Sequence, residues 1–117
     1  MTLTVPYPPT TNNLYMTVRG KRVKTQAARA YAVIVQTLCM AQGLEPMEGP
    51  VLLMVTVYRP RKTGDLDNTL KAIQDSLKGF AFKDDRQIVE IHAYRRDDKA
   101  NPRAVVTILP VTRGMID

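Results

Sequence analysis

The sequence predicts an α+β fold, a single domain over residues 1–117 in which a mixed β-sheet packs against two helices. Three observations lead there. Strand-type and helix-type patterns alternate along the chain; two segments place apolar residues at helical spacing; and the run from Val51 to Tyr58 is apolar on both alternating faces. A chain of 117 residues fills one compact domain and is too short for two independent cores.

Taken in order, Leu3-Thr4-Val5 alternates and then meets Pro6, Pro8 and Pro9, which predicts a short strand followed by a proline-stiffened turn. Thr10 to Asn13 supply turn chemistry. Leu14 to Lys24 divides into two short runs about Arg19-Gly20, the pattern of a hairpin, here carrying basic side chains. Thr25 caps a helix that extends to about Gln42, with Ala28, Ala32, Val35, Leu38 and Cys39 on its inner face and Gly43 as its stop. After the loop Glu45–Pro50, Val51 to Tyr58 is expected to be a central strand inside a covered sheet. Leu66, Leu70, Ile73 and Leu77 step by four, three and four and define the buried face of a second helix ending near Gly79. Its polar face carries Asp67, Asn68, Lys71, Gln74 and Lys78. Gln87–Arg96 and Arg103–Leu109 are strand-type runs, and the polar segment Asp97–Pro102 between them predicts a turn closing a final hairpin. The tail after Pro110 is expected to be loosely ordered.

Charge narrows the partners. Seventeen Lys and Arg against eleven Asp and Glu give a net charge of +6, which favours a polyanion without specifying which one. The single cysteine, Cys39, rules out an internal disulfide and a cysteine zinc site, and suits a reducing cytoplasm. Met1 to Pro6 lacks the basic start and apolar run of a signal peptide, and no segment has the ~18 apolar residues of a membrane span, so a soluble, cytoplasmic protein without a membrane partner is expected.

The chemistry concentrates between Gly64 and Gln87. Asp65 and Asp67 stand at the entrance to the second helix, and Lys71 lies one turn after Asp67 on the same face, placed to pair with it or to face a phosphate. Asp84 and Asp85 follow that helix. Each acidic pair alone is explained by capping or by turn formation. Together they are a different matter: a chain returning from the helix end along an adjacent strand brings Asp84 or Asp85 toward Asp65 and Asp67, and convergent carboxylates repel unless a cation neutralises them. Oxygen ligands without cysteine, and with the single His92, fit Mg²⁺ or Mn²⁺ better than zinc. Adjacent residues of an extended strand face opposite ways, so Asp84 and Asp85 are not equivalent ligands. Arg19, Lys21, Arg22 and Lys24, with Arg59, Arg61 and Lys62, form the candidate phosphate-binding surface; a solvated basic hairpin is the plain alternative. Asp97-Asp98 is assigned to a loop, and Phe80 and Phe82 to the core.

Asp65-Leu66-Asp67-Asn68, Lys71, Asp75 and Asp84-Asp85-Gln87, with Pro8-Pro9-Thr10-Thr11-Asn12-Asn13 nearer the start, resemble the signature of the RusA family of Holliday-junction resolvases. The resemblance implies a RusA-like fold and a homodimeric, Mg²⁺-dependent endonuclease (Mn²⁺ substituting) that nicks paired strands of a four-way DNA junction. It implies catalytic carboxylates at Asp65, Asp67 and Asp85, preferring Asp85 to Asp84, with Lys71 in support. Where family members carry an arginine-rich run before the acidic motif, this chain has Lys62-Thr63-Gly64. Two alternatives stand beside it: a non-catalytic, basic nucleic-acid-binding module, and a nuclease for other branched DNA.

Overall fold

The computed structural model describes residues 1–10, 13–61 and 66–112. Asp65 and Lys62 of the predicted site, Thr11 and Asn12 of the early motif, and the tail from residue 113 lie outside the described residues.

The elements follow in the order β1 (Thr2–Pro6), β2 (Tyr15–Val18), β3 (Lys21–Lys24), α1 (Gln26–Ala41), β4 (Val51–Arg59), α2 (Asp67–Leu77), a single 3-10 turn (Asp85–Gln87), β5 (Ile88–Asp97) and β6 (Arg103–Pro110). A four-stranded sheet runs β1-β6-β4-β5. It is mixed: β4 pairs parallel with β5 and antiparallel with β6, which pairs antiparallel with β1. The α+β expectation therefore holds, and β4 occupies an inner position.

Side-chain alternation explains the layering. Leu3 and Val5 of β1, Leu53, Val55 and Val57 of β4, and Ala104, Val106 and Ile108 of β6 are buried on one face against Val35 of α1 and Ile73 and Leu77 of α2. Phe82 is fully buried in the same core and Phe80 packs partly against it. Truncating the Phe82 ring to alanine would cost about 3–5 kcal/mol.

Two expectations are corrected. The final hairpin does not form, because β4 lies between β5 and β6. The Asp98 N–H donates to the Arg59 carbonyl at 2.8 Å, so the chain leaving β5 crosses the end of β4 before entering β6. Burial gives the reason: β6 hides alternate residues and suits an interior position, whereas β5 has four exposed residues at its end, Tyr94 to Asp97, and suits an edge. The sheet is also not covered on both faces. Opposite the helices, Met54 keeps 38% and Leu109 39% of their surface, beside Tyr58, on whose ring the Arg103 guanidinium stacks at 3.8 Å.

Helix and turn boundaries obey local chemistry. Thr25 Oγ1 accepts from the Ala28 N–H at 3.1 Å to cap α1, and Gly43 adopts φ +68° just past its end. β2 and β3 pair with Val18 opposite Lys21, leaving Arg19 (φ +53°) and Gly20 (φ +75°) as a two-residue turn with both φ angles positive. The backbone twist of a tight hairpin thus holds Arg19 in a conformation that side chains rarely adopt.

Candidate active site

The site is built around α2. Asp67 is exposed and is the only acidic residue of the helix's first turn, where a negative charge is favoured by the helix dipole. Beyond the helix, the chain turns through Gly79 and buries Phe82 before reaching Asp84 and Asp85.

These two neighbours have different surroundings, as expected, although the cause is a 3-10 turn and not strand alternation. Asp84 is its cap: Oδ1 accepts from the Arg86 N–H at 3.0 Å, while the Gln87 side chain accepts from the Asp84 N–H at 2.9 Å and the Lys83 N–H at 2.7 Å. The Arg86 N–H, before any longer-range charge, holds the Asp84 carboxyl below its ordinary pKa. Gln87 Nε2 donates to the carbonyls of Met47 and Gly49 at 2.7 and 2.8 Å, which fastens the turn to the loop before β4. Asp85, on this fastened turn, has Oδ1 buried with no hydrogen-bond partner among the described residues.

Such an atom requires an explanation, because a buried carboxylate oxygen normally accepts a hydrogen bond or binds an ion. A divalent cation fits: it prefers carboxylate oxygen and would satisfy the atom that the described residues leave bare. Among the described residues no group of three or more potential metal ligands gathers, and the third predicted carboxylate, Asp65, lies outside them.

Lys71 projects from the same helix. Its Nζ forms an ion pair with Asp75 at 3.2 Å, so its partner is the acid one turn later and not Asp67 one turn earlier. The hydrogen bond to Asp75 raises the Lys71 pKa above the ordinary lysine value, with smaller contributions from the charges of Tyr15 and Asp85. Lys71 is thus a cation at neutral pH, held by Asp75.

Asp75 was legible as part of the acidic signature, and its i, i+4 spacing from Lys71 could have been read from the sequence. Its second partner could not. Tyr15, sixty residues away on β2, donates from its hydroxyl to Asp75 Oδ2 at 3.3 Å. Tyr15 in turn carries the Arg22 guanidinium over its ring at 4.0 Å. Tyr15, Asp75, Leu14, Lys24 and Ala72 line a small cavity where the hairpin meets both helices.

The predicted basic residues divide. Arg19, Lys21, Arg22 and Lys24 are exposed on the β2-β3 hairpin, and Arg61 is exposed beyond β4. Arg59 is bound to Asp97 through Nε at 3.0 Å and Nη2 at 2.9 Å, with its side chain 12% exposed. It braces the ends of β4 and β5. His92 shares a 2.7 Å contact with Glu90, in keeping with a residue outside the site. Cys39 is buried, which raises its thiol pKa and leaves it unreactive. No helix among the described residues is long and apolar enough to cross a membrane.

A family model described as Endodeoxyribonuclease RusA matches residues 6–109. The chain is 32% identical over 118 residues to the crossover junction endodeoxyribonuclease RusA of Escherichia coli strain K12, an alignment covering 96% of this chain and 85% of that protein. It is 31% identical over 115 residues, with the same coverage, to proteins of that description from Enterobacteria phage 82 and from Shigella sonnei strain Ss046. A match of this extent, joined to the acidic signature on α2 and the turn that follows it, places the chain in the RusA endodeoxyribonuclease family.

Proposed function

We propose that this chain is a Mg²⁺-dependent, structure-selective endodeoxyribonuclease that resolves four-way DNA junctions by paired nicks, with Mn²⁺ able to replace Mg²⁺. The observation that carries this reading is the buried Oδ1 of Asp85, which has no hydrogen-bond partner among the described residues. Family membership supplies the substrate class.

Asp65, Asp67 and Asp85 are the residues that would hold the divalent ion; when bound, it neutralises phosphate charge and makes water a better nucleophile. The protein's own contribution is positioning. Gln87 and the Asp84 cap fix the Asp85 backbone, so its carboxylate needs little reorganisation. Lys71 holds a positive charge toward the negative charge that builds on the phosphate during attack. Arg19, Lys21, Arg22 and Lys24 on the hairpin, with Arg61 and Lys62, take the surrounding phosphates, contacts that position DNA without reading its sequence, while Arg59 stays bound to Asp97.

A homodimer suits a substrate of approximate two-fold symmetry that is cut twice. The exposed face of α1 supports it: Ala30, Val33, Ile34, Thr37 and Met40 are exposed and uncharged, and Arg29 is the helix's one charged residue. In a chain of net charge +6, this is a face that meets its own copy without repulsion. Val33→Glu should shift the mass measured by light scattering toward the monomer; an unchanged dimer mass would remove α1 from the interface.

The function is tested by incubating the protein with an immobile four-way junction, a three-way junction and linear duplex, each in Mg²⁺ and in EDTA, and mapping products on every strand. Symmetric nicks in the four-way junction only, and only with metal, are expected. Equal cutting of three-way DNA would redefine the substrate as branched DNA in general, and binding without cutting would leave a nucleic-acid-binding module.

A further inference from the structure

The pairing of Lys71 with Asp75 runs against helix energetics. In an isolated helix the acid is better placed four residues before the base, and here it follows. Asp75 also stands in the last turn of α2, the end at which the helix dipole disfavours a carboxylate. Local helix stability therefore does not account for an acid at this position.

The surroundings of Asp75 do. Its side chain is 21% exposed, against 51% for Lys71, and its two oxygens are divided between partners from different parts of the fold. Oδ1 takes Lys71 of α2, and Oδ2 accepts from Tyr15 of the basic hairpin. The Tyr15 ring lies under Arg22, one of the hairpin's exposed cations. A continuous chain of contacts, Arg22 to Tyr15 to Asp75 to Lys71, thus joins the basic hairpin to the Lys71 ammonium on α2.

We propose that Tyr15 and Asp75 are positioning residues that hold the Lys71 ammonium in place and tie it to the basic hairpin, so that DNA seated on the hairpin finds Lys71 already aligned. Neither residue touches the scissile phosphate. This assignment rests on the junction-cutting reading above, and goes beyond it by naming two residues that act through a third.

Tyr15→Phe makes a clean test, since it removes only the hydroxyl and keeps the ring on which Arg22 stacks. Cleavage of a four-way junction is measured under single-turnover conditions at saturating enzyme, alongside the junction Kd, for Tyr15→Phe, Asp75→Asn, Lys71→Ala and the double variant Tyr15→Phe with Lys71→Ala. The cleavage rate of Tyr15→Phe should fall ~2–10-fold, the range expected for one lost hydrogen bond, with Kd unchanged. Asp75→Asn should fall further. In the Lys71→Ala background, Tyr15→Phe should have no additional effect. A wild-type rate for Tyr15→Phe, a loss confined to Kd, or a full additional loss in the double variant would overturn the assignment. The side-chain NMR signal of isotopically labelled Lys71 supplies a readout that needs no cutting: it should shift or broaden in Tyr15→Phe, and an unmoved signal would overturn the assignment. If the wild type cuts no junction while the Lys71 signal moves, the substrate reading fails and the contact chain stands.

Discussion

The molecule has two Asp-Asp pairs, one in the turn after α2 and one at the end of β5, where Asp97 is the last strand residue and not part of the expected loop. Their difference separates structural carboxylates from the candidate catalytic one. Asp97 and Asp98, at the exit of β5, are both satisfied by protein: Asp97 by Arg59, and Asp98 by Arg103 at 2.9 Å and the Asn101 N–H at 3.1 Å. Asp84, in the turn after α2, is satisfied in the same way by a backbone N–H. Asp85 alone among the four has a buried oxygen without a partner among the described residues. Proteins rarely leave such an atom bare, so the exception makes Asp85 the carboxylate of the four to test for a bound cation.

The largest effects should fall on one side of this divide. Asp85→Asn and Asp67→Asn should each lower junction cleavage by at least ~10³-fold while junction binding persists, because the charge proposed to hold the ion is removed and the volume is kept. Asp65→Asn is expected to do the same. Asp97→Asn and Asp98→Asn should cut within a few-fold of wild type. Parallel cleavage and mobility-shift assays decide the matter, and a rate for Asp85→Asn near that of Asp98→Asn would dissolve the distinction.

Lys71→Ala should cost about 10²-fold in single-turnover rate, the size expected for loss of one preorganised charge at the phosphate. A smaller loss, matched by Lys71→Arg, would reduce Lys71 to a general surface cation. Asp84→Ala sharpens the comparison within one turn. It should retain cutting within about tenfold, since Gln87 still fastens the turn, and lower Tm by no more than about 5 °C, as measured by thermal melting.

The smallest effect is on acid stability. The Arg103 hydrogen bond, and then the Asn101 N–H, hold the Asp98 carboxyl below its ordinary pKa. A depressed folded-state pKa gives stability that is complete above the unfolded value of about 4 and is lost as pH falls through the folded value. Asp98→Asn should therefore flatten the acid limb of a Tm-against-pH profile below about pH 4, and an unchanged limb would show the pair to be screened by solvent.

The sequence made the elements legible where a period or a breaker was present. Thr25 and Gly43 bounded α1, Arg19-Gly20 marked the hairpin turn, and the four-three-four spacing from Leu66 to Leu77 located α2. Strand order was not legible, because β5 and β6 are neighbours in sequence and no local signal tells that β4 separates them. The candidate site divides the same way. Asp67, Lys71 and Asp85 carry a local pattern on and just after one helix, whereas Tyr15 joins them only through a hydrogen bond across sixty residues. Neither the burial of a single Asp85 oxygen nor the commitment of Arg59 to Asp97 leaves a trace in residue spacing.

The claim that Asp85, whose buried oxygen has no partner among the described residues, holds the metal is tested most directly by titrating the protein with Mn²⁺ and following paramagnetic broadening of backbone amide signals by NMR. Broadening centred on Asp67 and Asp85, reversed by excess Mg²⁺ and abolished in Asp85→Asn, is the predicted result. Broadening centred on Asp97 and Asp98, or undiminished in Asp85→Asn, would contradict it.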